Sequence, residues 1–351
     1  MIHARAPGKI ILMGEHAALH GCPVIACSVG LYCNVWIRPR QDGEIELQLP
    51  DLMLQQTYSS RQLIDYTARM RMALKRYQTT PGAQTFAALA NAGHDHLVKC
   101  AIGEILLRIP PQHWRGFTLR VQSQIPPGAG FGSSGALAVS LSAALMQWFG
   151  LTENDCPLEP LALSIERFQH GEPSGIDHNT SLLGSVVEGR HNAKGELDVH
   201  ALPVITSELL PDTLRLFNTG TALESTGQVI AATRHRLEGP DSPLLASMRR
   251  NTERFSTLLR QTRPMPETFR AVIRDYEADL EALGVVPDAV AQMIRTIEQA
   301  GGAAKVCGAG ALSGQQAGAL LMMGAANLSQ LTRYRWIHAP LAVPGLEVRT
   351  S

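Results

Sequence analysis

The chain has 351 residues, 45% of them apolar and 18% charged, with 31 basic side chains against 31 acidic ones. That length favours two domains and a large core, and the even charge excludes an electrostatic footprint for nucleic acid or an anionic membrane surface. The six cysteines include no C-x-x-C pair and no disulfide-like rhythm, which points to free thiols in a reducing compartment such as the cytoplasm.

Only four consecutive apolar residues precede Gly14 and Glu15, so the first stretch reads as neither a signal peptide nor a membrane span. Ala4 to Met13 has the look of a short buried strand interrupted by Pro7 and Gly8, and Val24 to Arg38 of further strand. Gln41-Asp42-Gly43 marks a turn, and EIELQL after it alternates with the period of a half-buried strand. Residues 63–107 turn helical, broken at Thr79-Thr80-Pro81-Gly82, and Phe117 to Ile125 alternates again. Ala136 to Phe149 is a small-residue, apolar helix stopped by Gly150, and Leu161, Ile165 and Phe168 share one face of the next helix. Residues 201–218 carry two strand-like runs, and a polar helical stretch extends from about Ser225 to Tyr276. From Gln299 the chain reads as helix end, strand, Gly-rich turn and strand. Two α+β domains with antiparallel-type strands, residues 1–185 and 186–351, fit this order better than regular β-α-β alternation. The methionines and tryptophans read as core packing, and His94-Asp95-His96 as a solvated helix start.

The segment IPPGAGFGSSGALAV, Ile125 to Val139, lies between a strand and a helix and has the composition of a phosphate-holding loop. Gly130, Gly132 and Gly135 spell G-x-G-x-x-G, but the second strand and acidic residue of a dinucleotide fold are missing downstream. A Walker loop fails as well, because Ala136 follows Gly135 and no lysine lies between Ile125 and Phe149. Physical chemistry supports a third reading. Glycines at 128, 130 and 132 allow close backbone approach to a polyphosphate, and Ser133 and Ser134 open a helix whose free N–H groups favour an anion. A plain Gly-rich turn with a serine cap fits the loop equally well.

Other stretches decide between these. APGK, GEHA and HG-x-P follow one another in the first 23 residues, ERFQHGEPSGIDHN spans Glu166 to Asn179, and KVCGAG spans Lys305 to Gly310. Together with PPGAGFGSSGA, these strings resemble the GHMP kinase superfamily, named for galactokinase, homoserine kinase, mevalonate kinase and phosphomevalonate kinase. GEHA with HG-x-P, and HG before PSGID, resemble the mevalonate kinase signature most. The resemblance implies a ribosomal protein S5 domain 2-like N-terminal domain with a left-handed β-α-β crossover, then a ferredoxin-like C-terminal domain. It also implies ATP-dependent phosphorylation of the 5-hydroxyl of mevalonate, with Mg²⁺, and no nucleic-acid or membrane partner. A homodimer is allowed and not required.

By the same resemblance, Pro127, Gly128, Ala129, Gly130, Gly132, Ser133, Ser134 and Gly135 should wrap the triphosphate, with Ser134 and Glu166 on Mg²⁺. Asp177 should take or orient the proton of the acceptor hydroxyl, and Lys9 beside it should lower the cost of charge on the attacking oxygen. Glu15, His16, Thr226, Gly308 and Ala309 are candidates for holding mevalonate.

Three departures stand against that pattern. The usual GAGGGGC is GAGALSGQQ here, so Ala311, Leu312 and Ser313 replace glycines and the turn must differ after Gly310. Leu223-Glu224 stands where mevalonate kinases usually have Pro-Arg, which puts an acid in place of a cation. Glu172 adds a charge where small or amide residues are common. Another GHMP kinase acting on a related hydroxy acid or sugar, or a silent metabolite sensor, stays open on these grounds.

Overall fold

The computed structural model describes residues 1–90, 93–203, 214–239, 242–261, 265–324 and 335–351. The first strands, β1 (Ile2–Met13) and β2 (Val24–Pro39), form a long antiparallel pair at the centre of the first sheet. Pro7 and Gly8 do not interrupt β1. They mark a register shift within it, and a Cβ at Gly8 would lie 2.9 Å from the Phe131 carbonyl oxygen. This shift sets Lys9 beside the glycine loop, where its backbone N–H donates to Phe131 O at 2.9 Å.

The sheet continues through β5 (Phe117–Ser123), β3 (Ile45–Leu49) and β4 (Leu54–Tyr58), in the order β1-β2-β5-β3-β4. The β3–β5 pair is parallel, and the chain between them passes through β4 and the helices α1 (Ser60–Thr79), α2 (Ala83–Ala90) and α3 (His96–Leu106). The first of these starts on a capping box between Ser59 and Gln62. Strand β4 has no apolar alternation because it is an edge strand whose middle residues face solvent.

Helix α4 (Ser133–Phe149) packs on β1 and β2, and α5 (Leu158–His170) and α6 (Ile176–Leu183) pack on it in turn. Gly150 stops α4 in the left-handed conformation, its N–H and that of Leu151 donating to Gln147 O and Met146 O. Strands β6 (Val186–His191) and β7 (Leu197–Ala201) add to the first sheet alongside β2.

The second sheet is antiparallel. Its order is β11 (Arg335–Ile337), β8 (Leu214–Asn218), β10 (Ala319–Met323) and β9 (Ala303–Val306). Between β8 and β9 come α7 (Thr226–Thr233), α8 (Pro243–Leu259), α9 (Pro266–Leu283) and α10 (Asp288–Gln299), of which α9 and α10 cover β9. The expected polar helix from Ser225 is thus several helices, each burying only one face. Of the two strand-like runs expected within 201–218, β8 is seen, and residues 204–213 lie outside the described residues. The last strand, β12 (Glu347–Thr350), returns to pair with β1. Residues up to Ala201 and this final strand therefore build the first sheet, and residues 214–337 supply the second.

Two expectations need correcting. Asp95 and His96 are buried, not solvated, because the start of α3 is enclosed by α1 and α5. Asp95 accepts from Tyr58 Oη at 2.6 Å and pairs with Lys99 at 2.7 Å, while His96 bonds Tyr66 Oη and Phe168 O. The methionines are not all core either, since Met53, Met72 and Met265 are exposed, and the four tryptophans are half-buried. Among the described residues, no helix is long and apolar enough to cross a membrane.

Candidate active site

The glycine loop is shaped by three left-handed residues, Gly128, Gly130 and Gly132, with φ of 68°, 84° and 66°. Pro127, Gly128 and Gly130 are exposed, Ala129 is buried, and Ser133, Ser134 and Gly135 form the first turn of α4. Two of the glycines have a packing reason too. A Cβ on Gly132 would lie 2.7 Å from Lys9 Cγ, and one on Gly135 would lie 2.8 Å from the backbone of Asp177 and His178. The loop therefore clears room for the lysine stem on one side and the start of α6 on the other.

These clearances bring Lys9 and Asp177 together. Lys9 is 4% exposed, and its Nζ lies 3.1 Å from Asp177 Oδ1 and 3.5 Å from Gly130 O. Asp177 sits on the first turn of α6 with its carboxylate partly open to solvent. The arrangement puts a fixed cation and a partly exposed carboxylate together at a helix N-terminus, which suits transfer to or from an anion.

Beside it, Ser134 Oγ donates to Glu166 Oε1 at 3.2 Å and lies 2.8 Å from His170 Nε2. The other oxygen of Glu166 accepts from His178 Nδ1 at 2.8 Å, and His178 Nε2 reaches Glu159 Oε1, also at 2.8 Å. Burial alone would lower the His178 pKa. The two carboxylates outweigh it and raise the ring to about 9. His178, Glu159 and His170 had no role in the sequence reading. His178 and His170 lie within the quoted string ERFQHGEPSGIDHN, but the contact with Glu159 exists only once α5 packs on α6.

Glu15 and His16 stand at the end of β1, facing the second sheet. Glu15 is paired with Lys305 of β9, both fully enclosed, and Tyr276 Oη donates to Glu15 O at 2.8 Å. His16 adopts a left-handed φ of 58°, and its Nε2 lies 3.0 Å from Ala309 O. Burial lowers the His16 pKa to about 4, against the hydrogen bond to Ala309. Gly308 and Ala309 thus join this cluster, and a Cβ on Gly130 would lie 3.4 Å from the adjacent Cys307 O. Thr226 is exposed on the first turn of α7, and no hydrogen bond among the described residues ties it to Lys9 or Asp177.

Two of the departures meet each other. Glu224 Oε1 accepts from Ser313 Oγ at 2.5 Å and its Oε2 from the Leu312 N–H at 3.3 Å. Positive φ falls on Gly308, Gly310 and Gly314, so Ala311, Leu312 and Ser313 need no glycine conformation. The acid caps the altered turn. Glu172 is exposed.

The GHMP kinases N terminal domain matches residues 96–185, which hold the glycine loop, Glu166 and Asp177. Those residues are thus a GHMP kinases N terminal domain, and over most of its length the chain is similar to mevalonate kinases. The chain is 28% identical to the mevalonate kinase of Thermococcus gammatolerans, covering 88% of this chain and 86% of that one. Its identity to the Mus musculus mevalonate kinase is 27%, over 87% and 82%. A crystal structure of mevalonate kinase superposes with a TM-score of 0.76 at 19% identity, covering 97% of this chain and 98% of that one. The α+β, two-domain fold is that of GHMP kinases.

Proposed function

We infer that this enzyme transfers the γ-phosphoryl group of ATP to the 5-hydroxyl of mevalonate, giving 5-phosphomevalonate and ADP. The observation that carries this reading is the Lys9–Asp177 pair, 3.1 Å apart at the mouth of the glycine loop. Asp177 accepts or orients the proton of the attacking hydroxyl, and Lys9 offsets the charge that develops on its oxygen. The exposed residues Pro127, Gly128 and Gly130, with the start of α4, cradle the triphosphate. Glu15, His16, Gly308, Ala309 and Thr226 form the acceptor side, with His16 and Ala309 already in contact.

Ser134 and Glu166 fit a Mg²⁺ ion. They offer one hydroxyl and one carboxylate oxygen side by side, and a hard cation that keeps waters and phosphate oxygens needs little more from the protein. Among the described residues, no group of three or more His, Cys, Asp or Glu side chains forms an all-protein metal cage. When bound, Mg²⁺ supplies charge neutralisation of the phosphate oxygens. A reducing, cytoplasmic setting suits six buried free thiols.

A coupled ADP-release assay run in parallel on mevalonate, phosphomevalonate, homoserine and galactose tests the substrate. Turnover with mevalonate above the other three is expected. Turnover confined to another acceptor overturns the reading and leaves the phosphotransferase assignment in place.

A further inference from the structure

His178 takes no part in the transfer chemistry above, yet it is fully buried between two carboxylates. It follows Asp177 on the first turn of α6, and its ring donates through Nδ1 to Glu166 Oε2 and through Nε2 to Glu159 Oε1, both at 2.8 Å. An ionised carboxylate only accepts, so the ring serves as donor on both sides. Glu159 is itself held, because Asn179 Nδ2 donates to Glu159 Oε1 at 3.2 Å and to Gly175 O at 3.0 Å.

A carboxylate that ligates a metal through one oxygen is oriented by whatever binds the other. Glu166 is 1% exposed, and its two oxygens are divided in this way: Oε2 to His178, Oε1 to the Ser134 hydroxyl. We propose that His178 is a positioning residue, whose Nδ1–H fixes Glu166 so that Oε1 faces Ser134 and the metal position, with Glu159 anchoring the ring from behind. The inference rests on Glu166 being the metal ligand of the proposed function. One helical turn then carries both the acid beside the acceptor and the group that orients the metal's carboxylate. Gly135 enforces that placement, since a Cβ there would lie 2.8 Å from His178 N.

The test is Mn²⁺ binding, followed by electron paramagnetic resonance in the presence of the ATP analogue AMPPNP, for the intact chain and its His178→Ala, His178→Gln, Glu159→Gln and Glu166→Gln variants. His178→Ala should weaken Mn²⁺ about tenfold or more, in the range found for partners of metal ligands. The Mg²⁺ concentration for half-maximal turnover should rise with it, while kcat at saturating Mg²⁺ falls much less. Glutamine at 178 is neutral and offers its two N–H donors from a single nitrogen, so it does not span the two carboxylates as the ring does, and His178→Gln should recover part of the affinity. Glu159→Gln should weaken Mn²⁺ to a smaller extent. Thermal melts check folding, and if His178→Ala does not fold, His178→Gln and Glu159→Gln carry the same prediction. Mn²⁺ affinity within about twofold of the parent in the folded His178 variants, with Glu166→Gln defective, overturns the positioning role alone. Unchanged affinity in Glu166→Gln as well overturns the ligand assignment and the positioning role together.

Discussion

A Cβ on Gly132 would lie 2.7 Å from Lys9 Cγ, so the glycine that ends the loop is also the one that lets the lysine pass. Gly132→Ala carries two penalties, a left-handed φ of 66° and a collision with the stem of Lys9. Gly150→Ala is the matched control, because its φ is 67° and nothing lies within 4 Å of its Cβ position. Both variants should lose about 1 kcal/mol or more of stability from the backbone alone. Only Gly132→Ala should also lose turnover, and equal kcat values for the two would remove the link between this glycine and Lys9.

Asp177→Asn keeps the shape of the side chain and removes its charge. Proton transfer by a positioned group contributes on the order of 10²–10⁴ to rate, so kcat should fall by that range. ATP binding should change little, because the glycine loop and Ser134 are untouched. Single-turnover kinetics with an independent nucleotide titration separate the two effects. Near-parental turnover would mean that Asp177 does not act on the acceptor hydroxyl.

Much of this architecture is legible in the sequence where local rules suffice. Strand β2 is rich in β-branched and aromatic residues, and α4 ends on a glycine that supplies the left-handed stop. The glycine loop and the residues Lys9, Ser134, Glu166 and Asp177 can be picked out because they sit in long strings, and the fold sets Lys9 3.1 Å from Asp177 and Ser134 3.2 Å from Glu166. What escapes is set by contacts between distant segments. Strand β4 is a solvent-facing edge with no pattern to read, and β6 joins the first sheet only through β2. Glu15 meets Lys305 across 290 positions, and Glu224 meets Ser313 across 89, so neither contact can be read from the local pattern. His178 lay in plain view, but its function depends on Glu159 one helix away.

The Glu15–Lys305 pair joins the end of β1 to the second sheet with both side chains enclosed. Lys305→Met leaves the Glu15 carboxylate buried without its counter-charge, which should cost about 3–5 kcal/mol in urea unfolding. Adding Glu15→Gln to Lys305→Met should restore part of that loss, because the uncompensated charge is gone. Additive losses in the double variant would show that the two groups do not act as a pair.

His16 gives the chain an acid-sensitive element at the same junction. Burial holds its pKa at about 4, helped by the nearby Lys305 and His20 charges and opposed by the hydrogen bond to Ala309 O. An unfolded histidine titrates near 6.5, so between pH 6.5 and 4 the unfolded chain binds a proton that the folded chain refuses. The stability from a neutral His16 is therefore complete above pH 6.5 and is lost as the pH falls through that window. From pH 7 to pH 5 the loss from this one group should be about 2 kcal/mol. His16→Asn keeps a residue tolerant of the left-handed φ and cannot titrate. The difference between parent and variant in urea midpoint should thus shift toward the variant on acidification. A difference that stays constant from pH 7 to pH 5 would show that His16 is not held neutral by the fold.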